Sequence, residues 1–424
     1  MDPDLLLLIL YMCLIGAAAG TFSGLVPGVH VNTLAMLLLL ASPILLDVLS
    51  GFVPAGYGPL LLSCAVMSAA VVHSSVDFVP SAFIGIPDAD TVLNVMPAHR
   101  MILDGEGMAA VRCAAIGSLT GAIVSLILAV PMFILLTNGL GDYLDSITVG
   151  ALIVVLALMI LDEEPGRRIR ATIVMSLSAV AGLTIMIGLF PMECMFDLEP
   201  ETMFPLLTGL FGIPALLTAD RNNGIPPQRD DERLPVSPIH GVKGVLTGSI
   251  TGWFPGITST AGATVAGRIF STGGTRGFIS MVASIGTAST MFAFITLCIN
   301  GKERSGTMSV IGSLLQDADL SLGGDVFISM MAAMAIASVL AYMLTIWAGR
   351  AMCVFLERMD MIVFNRAVLV AMVIITVLFC GYWGLIVLIA CTLIGLLPML
   401  LGTRRIHLTG CLIVPVLLFK LGLF

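Results

Sequence analysis

Charged side chains are scarce in this sequence. Asp, Glu, Lys and Arg make up 11% of the 424 residues, whereas 58% are hydrophobic and the mean hydropathy is +1.07. This excludes a soluble domain, in which about a quarter of the residues are charged. The apolar runs reach the ~20 residues that a membrane-spanning helix needs, and they lack the two-residue alternation of an outer-membrane barrel. The sequence therefore predicts an all-α polytopic protein of the cell membrane, with about 10 to 14 crossings.

Several functional motifs are also missing. The nine cysteines occur singly, without a Cys-x-x-Cys pair or a Cys/His cluster, so no metal or other cofactor is expected. There is no phosphate-binding Gly-x-x-x-x-Gly-Lys-Ser/Thr loop, which excludes transport driven by ATP hydrolysis in this chain. No basic stripe of the kind that binds nucleic acid is present. The acidic segments "NGLGDYLDS" (138–146) and "QDADLSLGGD" (316–325) lack a calcium-loop pattern and are interpreted as solvated turns.

Two segments share an unusual arrangement of glycine and proline. "GAAAGTFSGLVPG" (16–28) and "GVLTGSITGWFPG" (244–256) carry glycine at the same three steps and end in Pro-Gly. Glycines four residues apart let another helix backbone approach closely. The Pro-Gly pair ends the helix, and in hydrocarbon such a break survives only where protein or a watery cavity surrounds it. Both segments therefore predict broken or re-entrant helices beside a site.

A polar linker divides the chain into two halves. Residues 219–243 are rich in Pro, Asp and Arg, and they separate a first transmembrane repeat (1–218) from a second (244–424). Because Lys and Arg mark cytoplasmic loops, the linker is predicted to be cytoplasmic and both termini extracytoplasmic. Equivalent loops of the halves carry opposite charge, which predicts inverted-topology repeats. A parallel duplication, the alternative, requires equivalent basic loops to lie on the same side, and they do not.

Polar residues follow each Pro-Gly break and are suited to the start of a helix. They are His30, Asn32 and Thr33 in the first copy and Thr258, Ser259 and Thr260 in the second. A helix N-terminus presents unpaired N–H groups and the positive end of the helix dipole, so it can hold a carboxylate or a phosphate. These residues are predicted to bind an anionic substrate.

A second interruption follows in each half and contains ionisable or hydroxyl side chains. Candidates for binding a coupling Na⁺ or H⁺ are His73, Ser74, Ser75, Asp77, Asp88, Asp90, Thr287 and Ser289. The alternative is structural, with Asp77 as an N-cap at a kink and His73 as a satisfied bundle residue. Lys302 and Arg304 are candidates for holding the substrate anion, or else ordinary flanking charges.

The paired "GTFSGLVPG" and "GSITGWFPG", together with "FIGIPDADT" (83–91), resemble the large membrane subunit of the tripartite tricarboxylate transporters. The resemblance covers most of the chain. It implies an ion-coupled carboxylate permease that works with a small membrane subunit and an extracytoplasmic binding protein. The substrate residues that it implies are Pro27, Gly28, His30, Asn32, Thr33, Pro255, Gly256, Thr258, Ser259 and Thr260.

The hypothesis favoured by the sequence is a secondary transporter, not an enzyme, that moves an anionic small molecule by alternating access. The Pro-Gly breaks are also similar to those of polyprenyl-phosphate translocases, so a lipid phosphate is an alternative cargo. An intramembrane hydrolase is a more remote alternative. It needs a nucleophile beside a base, and Ser74 and Ser75 are adjacent to His73 in sequence, so they point in other directions on a helix. The oligomeric state is left open, with a homodimer as one option.

Overall fold

The computed structural model describes residues 3–26, 31–54, 56–84, 92–195, 200, 202–218, 226–230, 234–254, 259–358 and 361–423. In this part of the chain every regular element is helical. The helices before the linker are α1 (Pro3–Leu25), α2 (Val31–Leu40), α3 (Ser42–Ser50), α4 (Gly58–Val76), α5 (Phe78–Ile84), α6 (Val92–Leu103), α7 (Gly107–Leu135), α8 (Gly141–Leu161), α9 (Arg168–Met186), α10 (Met203–Leu207) and α11 (Ile213–Thr218). Those after it are α12 (Ile239–Trp253), α13 (Ser259–Ile269), α14 (Thr275–Asn300), α15 (Gly306–Leu314), α16 (Asp325–Arg358), α17 (Met361–Leu401) and α18 (Gly410–Lys420).

Seven helical stretches among the described residues are long and apolar enough to cross a membrane. Two of them, Gly107–Leu161 and Asn365–Leu401, are long enough for two passes. Each of these two contains a glycine with positive φ, Gly139 at 105° and Gly381 at 61°, which interrupts the helix at its middle. The fold class predicted from composition, an all-α polytopic membrane protein, is confirmed.

The central helices run in two opposite directions. Along α1 and α4, Gly16 meets Ala65 and Gly24 meets Val76, so these two helices are parallel. Helix α7 runs alongside α14 in the same way. In contrast, α7 and α16 are antiparallel, because Gly349 near the end of α16 lies against the start of α7, while Phe327 near its start lies 5.7 Å from Phe133 of α7.

The helix contacts of one half have counterparts in the other. Helix α1 packs on α4 as α12 packs on α14, and α16 contacts α1 and α4 as α7 contacts α12 and α14. The pairs α15 with α2 and α6 with α13 are likewise matched. Each half thus supplies one helix to the other half's set: α16 packs on α1 and α4, and α7 packs on α12 and α14. Neither half therefore forms its bundle alone.

Five arginines gather on one face of the bundle, which we call the arginine-rich face. Asp230 of the linker accepts hydrogen bonds from Arg112 at 3.1 Å and from Arg350 at 2.9 Å. Asp162 pairs with Arg268 and with Arg404. The fifth, Arg276, pairs with Glu106. These residues belong to loops that the sequence predicts on one side of the membrane, and the structure brings them to one side.

The ion pairs keep their carboxylates charged. Partial burial raises the pKa of Asp162, but the hydrogen bonds and charges of Arg268 and Arg404 outweigh it and hold that pKa below its ordinary value. Burial likewise raises the pKa of Asp230, but the hydrogen bonds and charges of Arg112 and Arg350 outweigh it and hold that pKa below its ordinary value. Because both pKa values are depressed, the stabilisation that these pairs provide persists above the ordinary carboxyl pKa and is lost only as the pH falls through the depressed values.

Part of the linker is docked on the bundle. The Gln228 side-chain oxygen accepts a hydrogen bond from Gly107 N at 2.7 Å, and its nitrogen donates to Ile102 O at 3.0 Å. The backbone N–H of Arg229 donates to Gly105 O at 2.9 Å. Residues 226–230 are therefore hydrogen-bonded to the turn between α6 and α7.

Helix α7 approaches α14 so closely at Gly117 that a methyl group does not fit. An ideal Cβ there would lie 2.0 Å from Ser280 O, whereas one on Gly150, in the same helical stretch, would meet nothing within 4 Å. We expect Gly117→Ala to destabilise the protein by about 1–3 kcal/mol through overpacking. Gly150→Ala should be neutral or slightly stabilising, because alanine is the better helix former. Both variants are heated in detergent, and the loss of the folded peak in gel filtration gives their melting temperatures. Equal melting temperatures would contradict the close packing at Gly117.

Candidate functional site

The glycine-rich segment of the first half packs backbone to backbone. An ideal Cβ on Gly16 would lie 2.1 Å from Ala65 O, and one on Gly20 would lie 2.4 Å from Ala69 O. Any side chain would push α1 away from α4. The expected close-packing role of the small-residue face is confirmed here.

The second copy repeats these contacts in register. Gly244 lies against Met281 and Gly248 against Ile285, where ideal Cβ atoms would come within 2.4 and 2.9 Å of the respective carbonyl oxygens. The partners on α14 follow those on α4 at a constant offset. By that offset His73 corresponds to Ser289, Ile86 to Lys302 and Asp88 to Arg304.

Near the end of α1, a buried hydroxyl meets a buried histidine. Ser23 Oγ lies 2.9 Å from His73 Nδ1, and both side chains are buried. His73 therefore contacts Ser23, a residue of another helix. Ser74 Oγ donates instead to Val71 O at 3.0 Å, within its own helix.

Two further candidates, Ser75 and Asp77, lie just after His73 in the chain. Ser75 Oγ is buried and has no hydrogen-bond partner among the described residues. Asp77 is half-buried at the junction of α4 and α5, beside Gly24 of α1. The end of α1, just before the first Pro-Gly pair, is thus surrounded by polar groups of α4.

The carbonyl end of α12 is satisfied by residues that follow much later in the chain. Thr296 Oγ1 donates to Gly252 O at 3.2 Å, and Arg304 Nη1 donates to Thr251 O. Phe254 N donates to Ile250 O. A cation beside the last carbonyls of a helix also favours its dipole. Arg304 therefore caps α12.

Lys302, between α14 and α15, belongs to a cluster of three side chains that also includes one residue of α8 and one of α12. Its ammonium forms an ion pair with Asp145 of α8 and lies 5.4 Å from the ring centroid of Trp253, the last residue of α12. Trp253 Nε1 donates to Asp145 Oδ1 at 3.1 Å. The interpretation of 138–146 as a solvated turn is wrong at this residue, because α8 has already begun and Asp145 is paired.

The starts of two helices from different halves meet. Asn32 Oδ1, in the first turn of α2, accepts a hydrogen bond from Thr307 N of α15 at 3.1 Å. An ideal Cβ on Gly306 would lie 2.9 Å from the Asn32 Cβ, so glycine permits the approach. Ser305 caps α15 by accepting from Met308 N at 3.3 Å. This segment directly follows Lys302 and Arg304.

The remaining predicted residues divide into two groups. In α14, Thr287 Oγ1 donates to Ala283 O at 3.3 Å, and Ser289 is half-buried. Ser259 is buried at the start of α13, beside Gly286 of α14. Thr33 and Thr260 lie in the first turns of α2 and α13. Those that lie outside the described residues are Pro27, Gly28, His30, Asp88, Asp90, Pro255, Gly256 and Thr258.

Ser23, Asp145, Trp253 and Thr296 were not among the predicted site residues. A signal was available for Trp253, which precedes Phe-Pro-Gly, and for Ser23, which lies within the first glycine-rich segment. Nothing local marks Asp145, because its partner is 157 residues away. Within the described part of the chain, no group of three or more His, Cys, Asp or Glu side chains could hold a metal ion.

Comparison with known proteins gives a family and one relative. The family model described as "Tripartite tricarboxylate transporter TctA family" matches residues 10–410. The chain is 24% identical over 422 residues to an uncharacterized protein of Methanocaldococcus jannaschii, covering 97% of this chain and 99% of the relative. No solved structure matches.

The cap on α12 can be tested with two threonines of α14. Thr296 and Thr290 both donate to the carbonyl four residues earlier, but only Thr296 also bonds Gly252 O. We expect Thr296→Val to cost about 1 kcal/mol and to speed amide exchange in the last turn of α12. Thr290→Val is the matched control and should leave that turn protected. Hydrogen–deuterium exchange of peptides covering 245–254 distinguishes the variants, and identical exchange would argue against the cap.

Proposed function

The chain belongs to the tripartite tricarboxylate transporter TctA family, and on that premise we propose that it is a secondary transporter of a carboxylate, such as a tricarboxylate, working by alternating access. The coupling ion in this proposal is Na⁺ or H⁺. As in the family, the partners are a small membrane subunit and an extracytoplasmic binding protein.

The observation that carries the proposal is the meeting of α2 with α15 at Asn32 and Thr307. Both helices begin there, so the positive ends of two helix dipoles converge beside a break in the chain. The amides of Thr307 and Met308 are held by neutral oxygens of Asn32 and Ser305. A substrate carboxylate can replace these oxygens with a charged acceptor, which forms a stronger hydrogen bond.

The helix directions support alternating access. Helix α14 is parallel to α7 and so antiparallel to α16, whereas α4 is parallel to α16, because Cys64 near the start of α4 meets Met330 near the start of α16 and Phe83, just beyond α4, lies at the start of α7. The pair α1 and α4 therefore runs opposite to the pair α12 and α14, and α1 and α12 each end just before a Pro-Gly pair of the sequence. Inverted-topology repeats are the usual basis of alternating access, because exchanging the conformations of the two repeats turns an outward-open site inward. We therefore retain residues 1–218 and 244–424 as the two repeats, joined by the linker 219–243.

The polar groups beside α1 are proposed to carry the coupling ion. His73, which meets Ser23, lies within two adjacent turns of Ser75 and Asp77 on a helical stretch long enough to cross the membrane, and the Ser75 hydroxyl has no partner among the residues that the structure describes. Ionisable groups at such depth are costly and are usually functional. The other candidates in the described structure are Ser74 on the same helix and Thr287 and Ser289 on its counterpart α14. Asp88 and Asp90 remain candidates from the sequence.

The arginine-rich face is proposed to be cytoplasmic. Lys and Arg are retained on the cytoplasmic side during insertion, and this face carries the linker ion pairs through Arg112 and Arg350. Both termini are then extracytoplasmic, and the extracytoplasmic binding protein approaches the opposite face, where Lys302 and Asp145 lie.

The experiment that tests this function is uptake into proteoliposomes. Citrate uptake is measured under imposed Na⁺ and proton gradients, in parallel with flipping of a polyprenyl phosphate, because a phosphate can also bind at a helix N-terminus. Citrate uptake that depends on one of the gradients supports the proposal. Flipping of the lipid without citrate uptake contradicts it. Ser23→Ala is included because Ser23 and His73 have the spacing of a nucleophile and its base. If the wild-type protein hydrolyses the polyprenyl phosphate and this variant loses that hydrolysis but keeps uptake, the protein is an enzyme.

The anion site itself is tested by Asn32→Asp. The new carboxylate still accepts a hydrogen bond from Thr307 N, so the contact between α2 and α15 is kept, but it repels an anionic substrate. We expect kcat/KM for citrate to fall about tenfold or more. Asn138→Asp, the same change at an exposed position between α7 and α8, should leave uptake near the wild-type rate. Normal uptake by Asn32→Asp would exclude this location.

A further inference from the structure

We propose that Asp145 is an internal competitor for the substrate. Its carboxylate neutralises Lys302 while the carrier is empty, and a substrate carboxylate displaces it. This inference rests on the proposed transport of a carboxylate. It adds a mechanism by which substrate binding changes the contacts at the end of α12, the helix that precedes the second Pro-Gly pair.

The cluster has the form of a carboxylate site that is already occupied. Asp145 Oδ1 accepts from Trp253 Nε1, and Asp145 Oδ2 is paired with the Lys302 ammonium. Each oxygen therefore has its own donor, one neutral and one charged. Two donors that divide the two oxygens of one carboxylate provide geometric selectivity as well as attraction.

The surroundings keep the two donors in place. Trp253 is 2% exposed and fixed in the core, and its ring lies below the Lys302 ammonium. Lys302 is further held through its backbone, because its N–H donates to Asn300 Oδ1 at 3.1 Å. Asp145 alone comes from α8, a helix outside the central set, so it can leave without disturbing the donors.

The ion pair is weak enough to exchange. The side chains of Lys302 and Asp145 are 35% and 36% exposed, and ion pairs at such exposure contribute little net stability because water screens them. A substrate carboxylate that also gains the amides at the start of α15 can therefore outcompete Asp145.

Displacement of Asp145 has a structural consequence. Asp145 is the residue of α8 that bonds Trp253, the last residue of α12 before the second Pro-Gly pair. When the substrate takes both donors, the hydrogen bond between α8 and the end of α12 is lost, and the packing of the Trp253 ring against Gly141 of α8 remains. Substrate binding then removes the polar restraint on the end of α12 that is present in the empty carrier, which favours the conformational change.

The first test separates charge from hydrogen bonding. In Asp145→Asn the amide oxygen still accepts from Trp253 Nε1, but the charge that neutralises Lys302 is gone. We expect KM for citrate to fall about two- to fivefold. Asp142→Asn is the matched control, since Asp142 is exposed in the first turn of the same helix, and its KM should be unchanged. Lys302→Gln should raise KM about tenfold or more.

The second test exchanges the two charges. The double variant Asp145→Lys with Lys302→Asp retains an ion pair, so gel filtration should show a folded protein, but the donor to the substrate is now on the wrong element. We expect uptake below a tenth of the wild-type rate. A folded charge-swapped protein with wild-type uptake would mean that the pair is purely structural and would overturn the inference.

A binding signal distinguishes failure of the inference from failure of the proposed function. In a Trp347→Phe, Trp383→Phe background, Trp253 is the single tryptophan, and citrate should change its emission as Asp145 leaves. Wild-type protein that neither takes up nor binds any carboxylate refutes the proposed function. Wild-type uptake combined with unchanged KM in Asp145→Asn and Lys302→Gln refutes the inference alone.

Discussion

The structure depends on backbone contact between helices that have no hydrophobic reason to associate. Lipid is as apolar as leucine, so helices in a membrane associate through close packing and polar contacts. Glycines provide this packing at several interfaces, among them α1 with α4, α12 with α14, α7 with α14, and α9 with α18, where an ideal Cβ on Gly182 would lie 1.9 Å from Cys411 O. Because the backbones touch, the broken ends of α1 and α12 are fixed against α4 and α14, and the polar groups of those helices can reach them.

The two breaks lie in matched positions but have different chemistry. At the first, the polar partners come from α4, namely Ser75, Asp77 and the His73 that meets Ser23. At the second, the position of α14 that corresponds to His73 carries the hydroxyl of Ser289, and the charges come from Lys302 and Arg304 beyond the end of that helix. The register assigns Ile86 and Asp88 to those two positions in the first half. A duplicated framework with diverged residues is suited to holding a cation at one break and an anion at the other.

The sequence predicted the helical class and the common face of the basic loops, because both follow from residue type alone. Hydropathy determines which segments are helices, and the distribution of Arg determines which loops face the same side. The sequence-based prediction was wrong for Asp145, which lies in a local pattern typical of a turn but is paired with Lys302 far along the chain. It also gave Arg304 and Lys302 the same candidate role, whereas the structure uses Arg304 on a carbonyl of α12 and pairs Lys302 with a carboxylate. Such roles depend on which distant helix end is adjacent, and periodicity contains no information about that.

In the proposed function, charge balance connects the substrate to the coupling ion. Arg304 already offsets the negative end of α12, so the cation that Asp145 can release at the second break is Lys302. A substrate with three carboxylates brings more negative charge than one ammonium and two helix dipoles of about half a charge each can offset. Burying the excess without a counter-charge is costly in a membrane. Cations bound with the substrate remove that cost, and the groups around the end of α1 are suited to hold them. Under the proposed function, coupling is then a condition for moving a tricarboxylate through this fold, rather than a separate addition to it.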